Sequence, residues 1–243
     1  MSPSYGPLAG RYDALTGDVP YGEFLSFYEA VFTGSGRAIH TVLDLCCGTG
    51  TLSLLLAERG YELISVDASS DMLSSFQQKL GSLPEGVVSP LLLCQHAKEL
   101  DLYDTVDAAV SSLDGFNYMS PEILPEVFRR LHLFMNPGAP LILDILSPEH
   151  LRSLDGQCFV DEGDGYLCLW RAGVEQNLLQ YGLDLFELAK KGLWRRGQEE
   201  HFEYIHEPEQ LMELLRAAGF ENIRLTADGP QCGEGRLFIT ARR

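Results

Sequence analysis

The 243-residue sequence has little positive charge and no long apolar segment. Its 18 lysines and arginines face 35 acids, giving a formal net charge of −17 that repels phosphate backbones and anionic lipids. No apolar run approaches the roughly 20 residues that a membrane-spanning helix needs, and the first residues lack a basic segment followed by an apolar one. We therefore expect a cytoplasmic protein that binds neither nucleic acid nor membrane. The sequence leaves its oligomeric state open.

Several catalytic motifs are also missing. There is no G-x-x-x-x-G-K-[ST] phosphate loop, no H-E-x-x-H zinc motif and no G-x-S-x-G nucleophile elbow, which argues against nucleotide hydrolysis and serine hydrolysis. The six cysteines form no C-x-x-C pair, and we predict that Cys94 and Cys168, in "LLLCQ" and "YLCLW", are small buried side chains. His201 and His206 would face opposite sides of a strand, so we expect no metal site.

The pattern of apolar residues predicts an α/β fold. Between residues 41 and 146, short aliphatic runs alternate with stretches of helical period, as in "TVLDL", "TLSLLLAERG" and "ELISVD". "SSDMLSSFQQKL" is typical of a helix, with Ser69 or Ser70 as its N-cap. The order of these elements predicts a doubly wound, mostly parallel sheet with right-handed crossovers.

Residues 158–206 differ in character from the rest, because strand-like stretches rich in aromatic residues alternate with glycine and charge. We predict that they form an antiparallel β insertion after the fifth strand, which acts as a lid. Residues 41–157 and 207–243 would form the core domain, and residues 1–40 an amphipathic helical lead-in. The aromatic candidates for the lid surface, which could equally be core residues, are Trp170, Tyr181, Phe186, Trp194 and Phe202.

The stretch "LDLCCGTG" (residues 43–50) places an acid next to bare backbone at the end of the first predicted strand. Gly48 and Gly50 permit close backbone approach, as in nucleotide sites at the carboxyl end of a strand. Asp44 would repel a pyrophosphate, but it suits an adenosyl ligand that carries an ammonium and a sulfonium and no phosphate. Asp67 follows at close to the ~20-residue offset at which a carboxylate meets ribose hydroxyls; the alternative is that Asp67 only caps the next helix.

Four stretches resemble the successive motifs of class I S-adenosylmethionine-dependent methyltransferases, whose fold is Rossmann-like: "VLDLCCGTG", "VDASSDML", "SSLDGFNYM" and "NPGAPLILDIL". The ends of the chain, "YDALTGDVPY" and "EEHFEYIHEPEQLMELLRAAGF", are similar to a group of small, mostly uncharacterised bacterial methyltransferases. The resemblance implies S-adenosylmethionine as cofactor and S-adenosylhomocysteine as product, but it does not specify the acceptor. If the insertion is a lid, the acceptor is a small molecule with a nitrogen or oxygen nucleophile, because a closed cover would exclude a folded protein or a duplex. The alternatives are a non-catalytic adenosyl-ligand binding or regulatory protein and, more distantly, a nicotinamide-dependent oxidoreductase.

The resemblance also implies which residues meet the cofactor. Asp44, Gly48 and Gly50 would hold its methionine portion, and Asp67 its ribose. Either Gln95 or His96 would stand where the family commonly has an acid that meets the adenine amine, unless stacking and backbone groups hold the adenine. By the same resemblance, Tyr12 in the lead-in of residues 1–40 would help to cover the cofactor, unless it is an ordinary core aromatic. The further cofactor candidates are Cys46, Ala68, Met72 and Ser112.

Three residues are candidates for the transfer step itself. Asp114 and Asn117 follow the fourth predicted strand, where the resemblance places the reacting methyl group, although Asn117 could be a turn residue. His201 shares one face of a predicted strand with Glu199 and Glu203. That face is either a wall of the acceptor site, with His201 as a base, or a solvated charged surface.

Overall fold

The computed structural model describes residues 9–189 and 192–243, and the first eight residues of the predicted lead-in lie outside this range. The chain begins with two helices, α1 (Tyr12–Leu15) and α2 (Tyr21–Thr33). Helix α2 buries one apolar face, including Phe24 and Tyr28, against the central sheet and the following helix. The described part of the lead-in is therefore helical.

The next elements follow the predicted order. They are β1 (Thr41–Leu45), α3 (Thr51–Glu58), β2 (Glu62–Asp67), α4 (Ser70–Lys79), β3 (Leu91–Cys94), β4 (Ala108–Ser111), α5 (Leu124–Phe134), β5 (Pro140–Leu146) and α6 (Pro148–Ser153). Ser69 is the N-cap of α4, because its hydroxyl accepts the Met72 N–H at 3.3 Å. The sequence also carried a signal for α6, which was not predicted: Ser147 caps it and Pro148 opens its first turn.

A second sheet and a closing helix–strand unit complete the chain. The second sheet contains β6 (Cys158–Gly163), β7 (Tyr166–Glu175), β8 (Leu178–Leu188) and β9 (Trp194–Tyr204), all antiparallel in that order. They are followed by α7 (Pro208–Ala217), β10 (Glu221–Thr226) and β11 (Arg236–Arg242).

The central sheet has seven strands in the order β10-β11-β5-β4-β1-β2-β3. Strands β1 to β5 are parallel, and β11 is antiparallel to both β5 and β10. The chain winds outward from β1 in both directions, so a crevice opens between the carboxyl ends of β1 and β4, where ligands of this fold bind. The predicted fold class, a doubly wound Rossmann-like sheet with an antiparallel β insertion, is confirmed.

The two cysteines that were predicted to be buried differ in their exposure to solvent. Cys168, on β7, is buried as predicted, but the prediction for Cys94 was wrong, because β3 is the edge strand of the central sheet and Cys94 is exposed. Apolar layers cover both faces of the central sheet, one under α5 and α7 and one under α2 and α3. No helix among the described residues is long and apolar enough to cross a membrane.

Candidate active site

A cavity of about 1110 Å³ lies between the carboxyl ends of the central strands and the second sheet. Small-ligand pockets usually measure roughly 300–1,000 Å³, so this one has room for two molecules side by side. We call the part formed by the loops after β1, β2 and β3 the loop end, and the part formed by β7, β8 and β9 the sheet end. Residues of the loop after β4 and Tyr12 of α1 also border the cavity.

The two glycines after β1 are required for different reasons. Both have a positive φ, +56° at Gly48 and +76° at Gly50, which glycine adopts without strain. A Cβ atom on Gly48 would meet nothing within 4 Å and would project into open space beside the cavity. A Cβ atom on Gly50 would overlap the ring of Phe76. Gly48 therefore leaves room for a ligand, whereas Gly50, which does not line the cavity, allows close packing of α4.

Asp44 is buried beneath this loop and borders the cavity. Its carboxylate accepts a hydrogen bond from the Ser53 hydroxyl at 2.6 Å. Burial raises the pKa of Asp44 to about 7, and the Ser53 hydrogen bond opposes that rise. A ligand cation placed here would favour the ionised carboxylate.

Asp67, at the end of β2, binds the backbone of the neighbouring loops. Its two oxygens accept the N–H groups of Gly48 and Ser69, each at 2.8 Å. A carboxylate has about four acceptor sites, so Asp67 can still accept hydrogen bonds from a ligand in the cavity that it borders. The helix-cap alternative does not hold, because the Ser69 side chain caps α4.

The two candidates after β3, Gln95 and His96, differ in whether they border the cavity. Ala68, Met72 and His96 border the cavity. Gln95 does not, because its side-chain amide is bound to the backbone of Asp101 by two hydrogen bonds of 3.0 and 3.2 Å. Of the two residues, His96 is the one placed to meet a ligand.

The loop after β4 is held from below by a buried charge cluster. Leu113 and Asp114 both adopt positive φ angles, 54° and 57°, and their N–H groups donate to the Asp144 carboxylate at 3.1 and 2.7 Å. Arg236 on β11 contacts Asp114 at 3.0 Å and Asp144 at 3.1 Å. Two non-glycine residues in this conformation are strained, so the cluster fixes the loop in place. Ser112, Cys46, Leu113 and Gly115 border the cavity, whereas the predicted catalytic residue Asp114 is turned towards Arg236.

Asn117, the second predicted catalytic residue, is completely buried and does not border the cavity. Its amide nitrogen donates to the Tyr204 carbonyl at 2.9 Å, and its amide oxygen accepts the Leu146 N–H at 3.0 Å. Both ends of the amide therefore join the central sheet to β9, and this geometry argues against contact between Asn117 and a substrate.

Replacing Asn117 with alanine should consequently lower the free energy of unfolding by about 2–4 kcal/mol, because two partly buried backbone groups lose their partners. Urea denaturation measures this loss, with Gln157→Ala, an exposed amide, as the control. An unchanged denaturation midpoint together with lost turnover would instead place Asn117 against the substrate.

His201 lies inside the protein and not on a solvated face. Its exposure is 1%, its Nε2 atom lies 3.0 Å from the Glu199 carboxylate, and its ring packs edge-on against Tyr118 at 6.4 Å. Glu203, on the same face of β9, is also buried, and the Tyr118 hydroxyl donates to it. The alternative of a solvated charged surface was wrong. Glu199 and Tyr118 border the cavity, whereas His201 lies behind them.

The aromatic residues that were predicted to form the lid surface do not lie together on one surface. Phe202 borders the cavity, but Trp194 is 54% exposed and does not. Trp170 and Tyr181 pack edge-on against each other at 6.0 Å on the inner face of the second sheet. For this pair, the alternative that the aromatic residues belong to the core is confirmed.

Helix α1 is fastened over the loop end by a residue that sequence reasoning missed. Asp13 accepts the Thr49 hydroxyl at 2.6 Å and pairs with Lys79 at 2.8 Å. These contacts position the adjacent Tyr12, which borders the cavity. Its role as a cover for the cofactor stays a prediction. No local pattern marks Asp13, Tyr118 or Arg236, because their partners are distant in sequence.

Three comparisons with known proteins agree with this geometry. Residues 42–138 match the sequence family described as "Methyltransferase domain". The chain is 30% identical over 254 residues to "Putative methyltransferase YqeM" of Bacillus subtilis, covering 98% of this chain and 97% of that protein. A crystal structure of an S-adenosylmethionine-dependent methyltransferase from Clostridium acetobutylicum superposes with a TM-score of 0.85 at 24% identity, over 97% of each chain.

The sugar N-methyltransferase KedS8 from Streptoalloteichus has the same fold, with a TM-score of 0.81, 20% identity, and coverage of 96% of this chain and 92% of that one. The YqeM match runs through both sheets and includes the loops that build the cavity. The predicted family, the enzymatic activity class and the cofactor are confirmed. This chain belongs to the class I S-adenosylmethionine-dependent methyltransferases and resembles bacterial members that have not been characterised.

Proposed function

We propose that the protein transfers the methyl group of S-adenosylmethionine to a nitrogen or oxygen atom of a small molecule. The observation that carries this proposal is the single cavity of about 1110 Å³, which runs from the loop end to the sheet end. Its volume suits an adenosyl ligand and a second small molecule. The second sheet and α1 stand over the cavity, which disfavours a folded protein or a nucleic-acid duplex as acceptor.

The residues of the loop end fit the cofactor. Gly48 leaves open space where the ligand backbone would pass, Asp44 offers a carboxylate for an ammonium group, and Asp67 keeps acceptor sites for ribose hydroxyls. Met72 and His96 border the same end and suit the adenine. When bound, S-adenosylmethionine supplies a methyl group on a sulfonium centre.

The rest of the chain's contribution is alignment and exclusion of water. In-line methyl displacement disperses positive charge, so holding the two reactants near 3 Å and keeping water out are the main requirements. Tyr12 on α1 and Phe202 on β9 border the cavity from two covering elements and fit this role. His201, which lies behind Glu199 and Tyr118, would act on an acceptor only through those two residues.

Cofactor binding should strengthen as the pH rises. With a pKa of about 7, the Asp44 carboxyl is mostly neutral at pH 6 and mostly ionised at pH 8, so the affinity for S-adenosylhomocysteine should increase by about tenfold. The raised pKa has the opposite effect on the stability of the cofactor-free fold. The contribution of the Asp44 carboxyl to the free energy of unfolding is fully present below about pH 4 and is lost as the pH rises from about 4 to 7. Calorimetry at both pH values tests the binding. Asp44→Asn should bind more weakly at pH 8 and show no such pH dependence.

Turnover tests the proposed function and separates it from a non-catalytic binding role. Purified protein is incubated with methyl-labelled cofactor and either a pool of small molecules or intact folded proteins. We expect label in the small-molecule fraction only. Label in the proteins contradicts the small acceptor, and binding of S-adenosylhomocysteine without any transfer supports the binding protein on the same fold.

A further inference from the structure

A chain of two buried hydroxyl groups ends on the Asp44 carboxylate. The Ser53 hydroxyl, on α3, lies 2.6 Å from the Asp44 Oδ2 atom and 2.7 Å from the hydroxyl of Ser65. Ser65, on β2, stands opposite Asp44 in the pairing of β2 with β1. Both serines are completely buried. Three elements, β1, α3 and β2, therefore meet at one carboxylate.

The direction of this chain follows from the hydrogens that are available. A serine hydroxyl has one hydrogen to donate, and an ionised carboxylate can only accept. When Asp44 is ionised, Ser53 must therefore donate to it, and Ser65 must donate to Ser53. Hydrogen bonds in series strengthen one another in a buried site. Both hydroxyls consequently favour the ionised form of Asp44.

The two oxygens of the Asp44 carboxylate are not equivalent. Oδ2 is held by Ser53, whereas no hydrogen bond from the described residues reaches Oδ1. Asp44 borders the cavity, so Oδ1 is the oxygen that remains for the ammonium group of a ligand. The contact with Ser53 thus fixes which oxygen is occupied and which one is left for the cofactor.

The other charged and titratable groups near Asp44 do not favour its ionised form. Burial raises the pKa of Asp44 most, the Ser53 hydrogen bond lowers it, and repulsion by Asp67 at the end of β2 raises it. Burial also raises the pKa of each remaining titratable neighbour, which keeps these groups neutral near pH 7; they are Cys46, Cys47 and Tyr28. Among the described residues, Ser53 is therefore the side chain that opposes protonation of Asp44.

We propose that Ser53 and Ser65 are positioning residues for cofactor binding, which hold the Asp44 carboxylate ionised and leave its Oδ1 atom free for the ammonium group of S-adenosylmethionine. Neither serine borders the cavity, so each acts through Asp44. This inference rests on the proposed function and deepens it, because it adds the two residues that prepare Asp44 for its ligand. Without Ser53, Asp44 keeps its proton to a higher pH.

The pH dependence of cofactor affinity tests this inference, because it separates an effect on Asp44 from general damage to the site. Calorimetry gives the Kd for S-adenosylhomocysteine at pH 6 and pH 8.5, for the unaltered protein and for Ser53→Ala. Loss of a hydrogen bond to a charged group raises the pKa of a carboxyl by about one unit or more. Ser53→Ala should therefore bind at least about tenfold more weakly at pH 6, and this difference should narrow about fivefold or more at pH 8.5. Titration of the ligand is common to both proteins.

Two further serine variants complete the comparison. Ser65→Ala leaves the Ser53 hydrogen bond in place and should show a smaller shift in the same direction, and it carries the test alone if Ser53→Ala does not fold. Ser111→Ala removes an equally buried hydroxyl from β4 that is bound to no carboxylate among the described residues. Its affinity relative to the unaltered protein should be the same at both pH values. Circular dichroism checks that each variant is folded.

The possible results distinguish the inference from the function on which it rests. A loss of affinity in Ser53→Ala that is equal at pH 6 and pH 8.5 overturns the positioning role. A pH profile of Ser65→Ala that is identical to that of the unaltered protein overturns the role of Ser65. If the unaltered protein binds no S-adenosylhomocysteine at either pH, the proposed function itself is overturned.

Discussion

Replacing Asp67 with alanine is expected to weaken the binding of S-adenosylhomocysteine by about 100-fold or more. The Asp67 carboxylate fits two ribose hydroxyls, and hydrogen bonds to a charged group contribute about 1.5–3 kcal/mol each. The substitution also removes the acceptor for the Gly48 and Ser69 N–H groups, which loosens the loop that the ligand must meet.

Two further variants separate these effects. Asp67→Asn keeps one side-chain oxygen as an acceptor and should bind more tightly than Asp67→Ala. Asp71→Ala removes an exposed acid from the first turn of α4 and should leave the Kd nearly unchanged. Calorimetry on all three gives the comparison, and an unchanged Kd in Asp67→Ala would mean that the ribose is held elsewhere.

Alanine substitutions at Gly48 and Gly50 should damage different properties. At both sites the positive φ makes alanine unfavourable by about 1–2 kcal/mol. At Gly48 the added methyl group meets open space, so stability should fall by little more than this strain, while cofactor affinity falls at least tenfold. At Gly50 the methyl group overlaps Phe76, and overpacking adds a further loss of about 1–3 kcal/mol.

Urea denaturation and calorimetry on the same two proteins measure both properties. We expect Gly50→Ala to lose more of its free energy of unfolding than Gly48→Ala. For Gly48→Ala we expect the loss of cofactor affinity to be large although the loss of stability is small. Cofactor binding by Gly48→Ala that equals the unaltered protein would contradict the assignment of this loop to the cofactor.

The central sheet and the loop end could be predicted from the sequence because their signals are local. Aliphatic runs of five or six residues specify β1 and β2, and Ser69 marks the start of α4. The acids Asp44 and Asp67 sit at fixed places relative to these strands, so their position at the cavity follows from the pattern. Cys94 shows the limit of such reasoning, since an aliphatic run looks the same in a central strand and in an edge strand.

The sheet end could not be predicted, because its geometry depends on contacts between distant parts of the chain. Arg236 reaches Asp114 across 122 positions, and Asn117 reaches Tyr204 across 87. The sequence "EEHFEY" on β9 is typical of a solvated strand, since charged residues are rarely buried. One face of this strand, with His201 and Glu203, is buried here because β9 packs against Tyr118, and nothing within β9 itself records that neighbour.

The most direct test of the central claim is calorimetric titration of the unaltered protein with S-adenosylhomocysteine and, separately, with NAD. Asp44 and Asp67 border the loop end, where a pyrophosphate would meet two carboxylates and an adenosyl ligand with an ammonium group would not be repelled. The account predicts saturable binding of S-adenosylhomocysteine at one site per chain and no measurable binding of NAD. Binding of NAD without binding of S-adenosylhomocysteine would contradict it.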